Sequence, residues 1–391
     1  MTQDKIVSLK EIATFTSGGT PSKKNPAFYT NGTIPWITGA DINDSRSISA
    51  RTNVTEDAIA KSAATAMPAG TIALVTRTSV GKVGIFTQRT AFSQDITGIT
   101  PGPEVDSTYL VHFLESQAHL LKRESRGATI KGVAREIVGN LPLALPSIAE
   151  QRRIAAILNK ADAIRTKRRS LLAHIDSLER SSFLEAFGDL DARSHVTDAL
   201  LESKGAIRTG PFGSQLLHEE FVDEGVAVLG LDNVVGNDFK WAKRRFITPA
   251  KYAELSRYTV HPGDVLISIM GTVGRCVVVP EGIPASINTK HICAITLDRS
   301  VAQPTFVRAA FLWHPATRRY LAHETKGAIM AGLNMGIIKR MPLPLPPLGA
   351  QIQFADKVAA IHAERDRVAT ALETDEELFT ALRHRAFRGE L

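Results

Sequence analysis

The sequence predicts an α+β fold that repeats itself once. Two mixed, strand-rich modules are separated by two long antiparallel coiled-coil helices, in an internal pseudo-two-fold arrangement. Three observations carry this reading. At 391 residues the chain is too long for a single ordinary core. The stretch that opens Gly127-Ala128 and ends Leu141-Pro142-Leu143-Ala144-Leu145-Pro146 returns 200 positions later as Gly327-Ala328 and Met341-Pro342-Leu343-Pro344-Leu345-Pro346. Each copy then runs into about 40 residues whose apolar positions follow 4–3 spacing.

The repeat extends beyond its signature. The offset of 200 also pairs Gly132 with Gly332, Gln151 with Gln351, and Ala186-Phe187 with Ala386-Phe387. Upstream, Val80-Gly81-Lys82 resembles Val273-Gly274-Arg275, and Gly70 resembles Gly263, at an offset of 193. The change of offset places length differences in loops, where insertions cost least.

Four segments follow in order. Residues 1–146 form the first module and 191–346 the second. Both hold short β-type runs broken by Gly, Pro, Asn and Asp, such as Thr71-Ile72-Ala73-Leu74-Val75 and Asp264-Val265-Leu266-Ile267-Ser268-Ile269. Helical stretches are expected over 107–123 and 303–322. Residues 147–190 and 347–391 are the two helices. Ser147 and Glu150 have the form of a capping box, and Gly188 is a natural stop. Pro347 replaces Ser147 in the second copy, so the box is lost there. The expected seam of the first helix is Ile157, Ala161, Ile164, Leu171, Ile175 and Leu178, with Arg168 at one position. That of the second is Phe354, Val358, Ile361, Val368, Leu372, Phe379 and Leu382, with Arg365 and Asp375 on it. A helix of about 40 residues is roughly 60 Å long. Heptad spacing over that length favours the two helices packing on each other over each packing only on its own module. Paired antiparallel, they would hold two readers apart like a ruler.

Composition narrows the class. Hydrophobic residues at 43% and charged residues at 22% fit a soluble globular protein. No apolar run reaches the roughly 20 residues needed to span a bilayer, and Met1 to Lys10 lacks the apolar core of a signal peptide. Cys276 and Cys293 are expected to be reduced and buried, and the setting cytoplasmic. Of the net charge of +7, the modules contribute +3 and +4, while the helices, at +2 and −2, cancel. A mild basic excess on the modules is compatible with nucleic acid.

Catalytic signatures are absent. Gly127-Ala128-Thr129-Ile130-Lys131-Gly132 is followed by Val133, which breaks the phosphate-loop pattern. There is no dinucleotide glycine fingerprint and no Asn-Pro-Pro-aromatic stretch. Nor is there a Pro-Asp nuclease start, a His-Glu-x-x-His zinc site or a Gly-x-Ser-x-Gly elbow. The chain reads as non-catalytic and without a metal site.

Certain motifs match a known family. Ser17-Gly18-Gly19-Thr20-Pro21-Ser22-Lys23-Lys24, then Ile34-Pro35-Trp36-Ile37-Thr38-Gly39, resembles the opening of a target-recognition domain of type I restriction–modification specificity subunits. Gly210-Pro211-Phe212-Gly213-Ser214-Gln215-Leu216 resembles a variant of that opening. Pro146-Ser147-Ile148-Ala149-Glu150-Gln151-Arg152-Arg153-Ile154 is similar to the start of the family's central helix, and Ala386-Phe387-Arg388-Gly389-Glu390-Leu391 to its C-terminal ending. Gly349-Ala350-Gln351 departs from the family's Ala-Glu-Gln at the second helix start.

The resemblance implies a non-catalytic subunit that binds a bipartite target in double-stranded DNA, one half-site per module. It also implies two docked adenine-N6 methyltransferase subunits, with restriction subunits as optional further members of the assembly. No cofactor is expected on this chain. S-adenosylmethionine, and ATP with Mg, belong to those partners. A stand-alone DNA-binding or regulatory protein is the main alternative, ahead of a coiled-coil scaffold or an undetected enzyme.

Phosphate contacts call for Lys, Arg or glycine-loop N–H groups, and base edges for Arg, Asn or Gln. In the first module these are Lys23 and Lys24 of the opening loop, Arg77 and Lys82 around the Gly81 turn, and Gln94. In the second they are Lys240, Lys243, Arg244 and Arg245 around Trp241, with Arg275 as counterpart of Lys82 and Asn288 as counterpart of Gln94. A solvated surface charge is the competing reading for each cation.

Overall fold

The computed structural model describes residues 5–43, 46–127, 131–241, 245–325 and 332–391. Two compact units emerge: Met1–Leu171 with Val368–Leu391, and Leu172–Arg367. Each holds one module and part of both long helices.

Among the described residues the first unit contains ten strands: β1 (Lys5–Ser8), β2 (Ala13–Ser17), β3 (Ile34–Ile37), β4 (Thr52–Val54), β5 (Thr65–Met67), β6 (Ile72–Val75), β7 (Val83–Ile85), β8 (Thr90–Phe92), β9 (Ile96–Pro101) and β10 (Pro142–Leu145). The second contains β11 (Ser194–His195), β12 (Ile207–Thr209), β13 (Val226–Leu229), β14 (Phe246–Ile247), β15 (Thr259–Val260), β16 (Val265–Ser268), β17 (Cys276–Val278), β18 (Ser286–Asn288), β19 (Ile292–Ile295) and β20 (Pro342–Leu343). The orders β2-β9-β6-β7, β4-β3-β8-β5 and β1-β10 recur as β12-β19-β16-β17, β14-β13-β18-β15 and β11-β20. Even the one parallel pairing found among the described residues of each unit recurs: β3 with β8 through Trp36↔Ala91, and β13 with β18 through Val228↔Ile287. The repeat seen in the sequence is therefore a repeat of topology.

The Pro-punctuated segment is not a bare linker. It supplies β10, which closes on β1 at the start of the chain, with Val7 opposite Leu143. Both expected module helices are interrupted. The first divides into Ser107–Ser116 and Ala118–Glu124. The second divides into Pro304–Trp313 and Pro315–Glu324, because Pro315 cannot donate into a helix passing through His314.

The long helices span Ile148–Phe187 and Leu348–Ala386. Ser147 Oγ accepts from the Glu150 N–H at 3.3 Å, as the capping reading requires, but the Glu150 carboxylate pairs with Arg153 instead of reaching back. Within the first unit the helices run antiparallel, with Arg168 ion-paired to Asp375 and Arg165 3.4 Å from Glu376. Within the second, Arg365 meets Asp176 at 2.7 Å and His362 meets Glu179 at 3.2 Å.

Helix–helix and helix–module packing coexist. In the first unit Ile154 and Leu158 enter the module core beside Leu74, Ile99 and Leu110, joined by Phe379 and Ala386. In the second, Phe183 and Phe187 join Phe354 and Val358 against Phe306 and Ile267. The rings of Phe187 and Phe306 meet edge-on at 5.1 Å. Each module thus buries the start of its own helix and the end of the other.

One expectation about the seam fails. Ile164, Leu171 and Leu178 are 49%, 46% and 45% exposed. Arg168 and buried Ile175 keep their expected places, but at the three exposed positions the seam passes one residue later, through Arg165, Leu172 and Glu179, because an arginine and a glutamate facing opposite charges on the other helix can occupy it.

Candidate nucleic-acid interface

The opening loops of the two modules are built alike. A Cβ on Gly18 would lie 2.3 Å from the Phe92 carbonyl oxygen, and one on Gly210 1.9 Å from that of Asn288. Only glycine allows the loop to press on the end of β8 or β18. Trp36 Nε1 pins the first loop by donating to the Gly19 carbonyl at 3.0 Å. The Gly81 and Gly274 turns also match, with φ of +94° and +84°.

In the first module these pieces are contiguous. Gln94 is exposed, and its Oε1 accepts from Thr20 Oγ1 of the opening loop at 2.6 Å. The adjacent Asp95 carbonyl accepts from the N–H groups of Thr76 and Arg77 at 2.8 and 3.2 Å. The 94–95 corner therefore ties the opening loop to the Gly81 turn. Arg77, Lys23 and Lys24 are exposed, the two lysines in the turn after the opening loop. Lys82 is half-buried, with Nζ donating to the Ile42 carbonyl at 3.2 Å. It fits a residue that braces the turn better than one that reaches out.

In the second module Arg275 is exposed, its N–H held by Ser268 Oγ at 2.9 Å. Lys240 is exposed, and its backbone is clamped by Asn233, whose Nδ2 donates to the Lys240 carbonyl at 2.8 Å. Trp241 stands beside Phe239, rings edge-on at 5.5 Å. Arg245 is half-buried and paired with Asp232 at 3.0 Å. It lines a cavity of about 530 Å³ with Phe221, Leu231, Thr289 and His291. Lys243 and Arg244 lie outside the described residues.

Asn288 is a correction. It is fully buried, and its Nδ2 donates to the Ile292 carbonyl at 2.7 Å, so it cannot present its amide to a base. The backbone shows why the pairing with Gln94 was misplaced. Ser93 N–H donates to Ile37 O and Thr289 N–H to Leu229 O, while Asp95 O and His291 O accept from Thr76 and Ile269. The counterpart of Gln94 is thus Lys290, which is exposed. Sequence offset alone placed the match two residues early.

Cys276 and Cys293 are free and buried, and burial pushes both thiols up to about 12. Among the described residues no group of three or more His, Cys, Asp or Glu side chains is arranged to hold a metal ion. No described helix is long and apolar enough to cross a membrane.

Comparison with known proteins fits this geometry. The type I restriction modification DNA specificity domain matches residues 3–175. The EcoR124I/EcoR124II type I restriction enzyme specificity subunit of Escherichia coli is 30% identical over 163 residues, 40% of this chain and 40% of that protein. The MjaIX specificity subunit of Methanocaldococcus jannaschii is 30% identical over 162 residues, 40% of this chain and 37% of that one. The match thus spans about two fifths of the length of those relatives. The crystal structure of a type I restriction–modification S subunit from M. genitalium shares the fold, with a TM-score of 0.59 over 99% of this chain and 97% of that one at 15% identity. Residues 3–175 are thus similar in sequence to the DNA specificity domain of type I restriction–modification specificity subunits, and the chain shares its fold with a solved S subunit.

Proposed function

We propose that this chain is the DNA-recognition subunit of a type I restriction–modification assembly. Each module reads one half of a bipartite, asymmetric target in double-stranded DNA. The observation that carries the reading is one framework with two sets of loops. Sheet order and glycine turns agree, while equivalent positions hold Lys82 and Arg275, Gln94 and Lys290, Asp95 and His291. A shared scaffold with divergent loop side chains suits two different half-sites.

The chemistry is assigned to partners. Adenine-N6 methyltransferase subunits, two per chain, would carry S-adenosylmethionine and flip the target base. Restriction subunits with ATP and Mg would be further members. The exposed apolar residues Ile164, Leu171 and Leu378 of the first unit's helices offer a docking surface for a methyltransferase. Affinity purification of the chain co-expressed with such a methyltransferase tests the assignment. A stable complex is expected. A chain that stays alone and binds its target tightly would favour the stand-alone DNA-binding reading.

A further inference from the structure

Within the first unit a cavity of about 510 Å³ opens between the Gly81 turn, the helix Ala118–Glu124 and both long helices. Six cationic side chains line it: Arg46, Lys82, Lys122, Lys131, Arg165 and Arg383. Among the described residues two carboxylates do, Glu115 and Asp162.

Those carboxylates are already engaged. Glu115 grips Arg46 at 2.5 Å, and Asp162 lies 3.4 Å from Arg46 and 3.1 Å from Arg165. Lys122, Lys131 and Arg383 have no carboxylate within ion-pair distance among the described residues. The Arg165 guanidinium carbon lies 3.8 Å from the centre of the Phe379 ring, and its Nε is buried without a hydrogen-bond partner. Burial first, and the nearby charges of Arg169 and Arg383 with it, hold the Arg165 guanidinium below its ordinary value. Exposed Lys122 and Lys131, Arg383 over the Phe379 ring at 5.5 Å, and the one buried guanidinium N–H without a partner face the same cavity, and an anion there would satisfy that N–H and gather the remaining cations.

We infer that this cavity is a phosphate-binding site, framed by Lys122, Lys131, Arg165 and Arg383. Guanidinium and ammonium donors converging on one space match the several acceptor oxygens of a phosphate group. The volume admits a phosphate with its sugar. Two sources share that chemistry, a DNA backbone phosphodiester and a free nucleotide. The Gly81 turn forms one wall and also carries Arg77, so the DNA backbone is the favoured source. For that source the inference rests on the DNA-reading proposal; for the site itself it does not.

The test uses the full chain with Lys122→Gln and Arg383→Gln combined, and Arg193→Gln as a control elsewhere. Duplex affinity is measured by fluorescence anisotropy across a salt series. Each phosphate contact contributes about 0.9 to the slope of log K against log salt concentration. The double variant is expected to flatten the slope by about 1–2 and to bind about tenfold more weakly at low salt, with the control unchanged. Calorimetry with ATP and with inorganic phosphate forms the second arm. ATP binding lost in the variant identifies the free nucleotide as source. Wild-type slope and affinity, together with no ATP or phosphate binding by the wild-type chain, would overturn the site. If neither chain binds duplex but ATP binding tracks the cavity, the DNA reading fails and the site stands. Should the double variant melt early, Lys122→Gln with Lys131→Gln, both exposed positions, replaces it with half the slope change or more expected.

Discussion

Gln151 and Gln351, 200 positions apart in the chain, make the same three hydrogen bonds in their respective units. Each is fully buried at the first turn of a long helix. Gln151 Oε1 accepts from the Asp106 N–H at 2.9 Å, and its Nε2 donates to the carbonyls of Glu104 and Pro146 at 3.0 and 2.9 Å. Gln351 repeats this with the Gln303 N–H and the carbonyls of Val301 and Pro346, at 3.0, 3.1 and 2.9 Å. The amide thus staples the helix start to the module helix and to the Pro-rich strand before it. Replacement of either glutamine by alanine strands one buried donor and two buried acceptors. A loss of about 2–4 kcal/mol is expected, read by denaturant melting. Glutamate at either position should be no better, since a carboxylate cannot donate to two carbonyls.

Stability of the second unit should depend on pH through Glu179. Burial raises its pKa, but the His362 hydrogen bond and the Arg308 charge outweigh burial and hold it below 4.5. The His362 pKa is raised above 6.5, chiefly by the same hydrogen bond. A raised histidine contributes stability that is fully present below its unfolded value and lost as pH rises through the folded one. A lowered carboxylate contributes stability present above its unfolded value and lost as pH falls through the folded one. Melting temperature should therefore fall on both sides of a plateau between about 4.5 and 6.5. His362→Gln should remove the decline on the alkaline side. A decline that persists in that variant would assign it elsewhere.

Asn288 and Lys290 should separate cleanly. Asn288→Ala removes a buried amide that donates to Ile292 O, and should cost about 1–3 kcal/mol without changing the bases read. Lys290→Gln should leave melting unchanged and weaken DNA binding or relax one position of one half-site. The reverse pattern would restore Asn288 as a reader.

The exposed apolar residues give a partner test. Ile164→Asp with Leu171→Asp should leave the melting curve within about 0.5 kcal/mol of wild type, as expected for surface positions. It should reduce co-purification of a methyltransferase at least tenfold. Unchanged recovery of the complex would remove this face from the docking surface.

Much of the fold was legible because it is written twice. The Gly81 and Gly274 turns, the Pro-rich strands and the paired glutamines stood out at fixed offsets, and Arg168 and Asp375, each placed on a seam, turned out to pair with one another. What was hidden depends on non-local partners. β1 and β10 are short, lie at opposite ends of the module and include Pro142, so neither period nor propensity marks them. In the first helix two neighbouring stripes fit 4–3 spacing. The apolar Ile164, Leu171 and Leu178 fit the spacing beside Arg168 and Ile175, and Arg165 does not read as a seam residue because the carboxylate that lets it occupy the seam, Glu376, lies on the other helix. The misplacement of Asn288 has a related cause: loop lengths differ, and only backbone hydrogen bonds fix the correspondence. Base-reading residues were the least legible, since an exposed lysine looks the same whether it faces water or phosphate.

The most direct test of the central claim is a long-read map of N6-methyladenine in cells carrying this chain with the proposed methyltransferase partner. Two modules with different reading loops should yield one bipartite motif whose two halves are unrelated in sequence and separated by a fixed spacer. A palindromic motif, a single undivided motif, or no chain-dependent methylation would contradict the account.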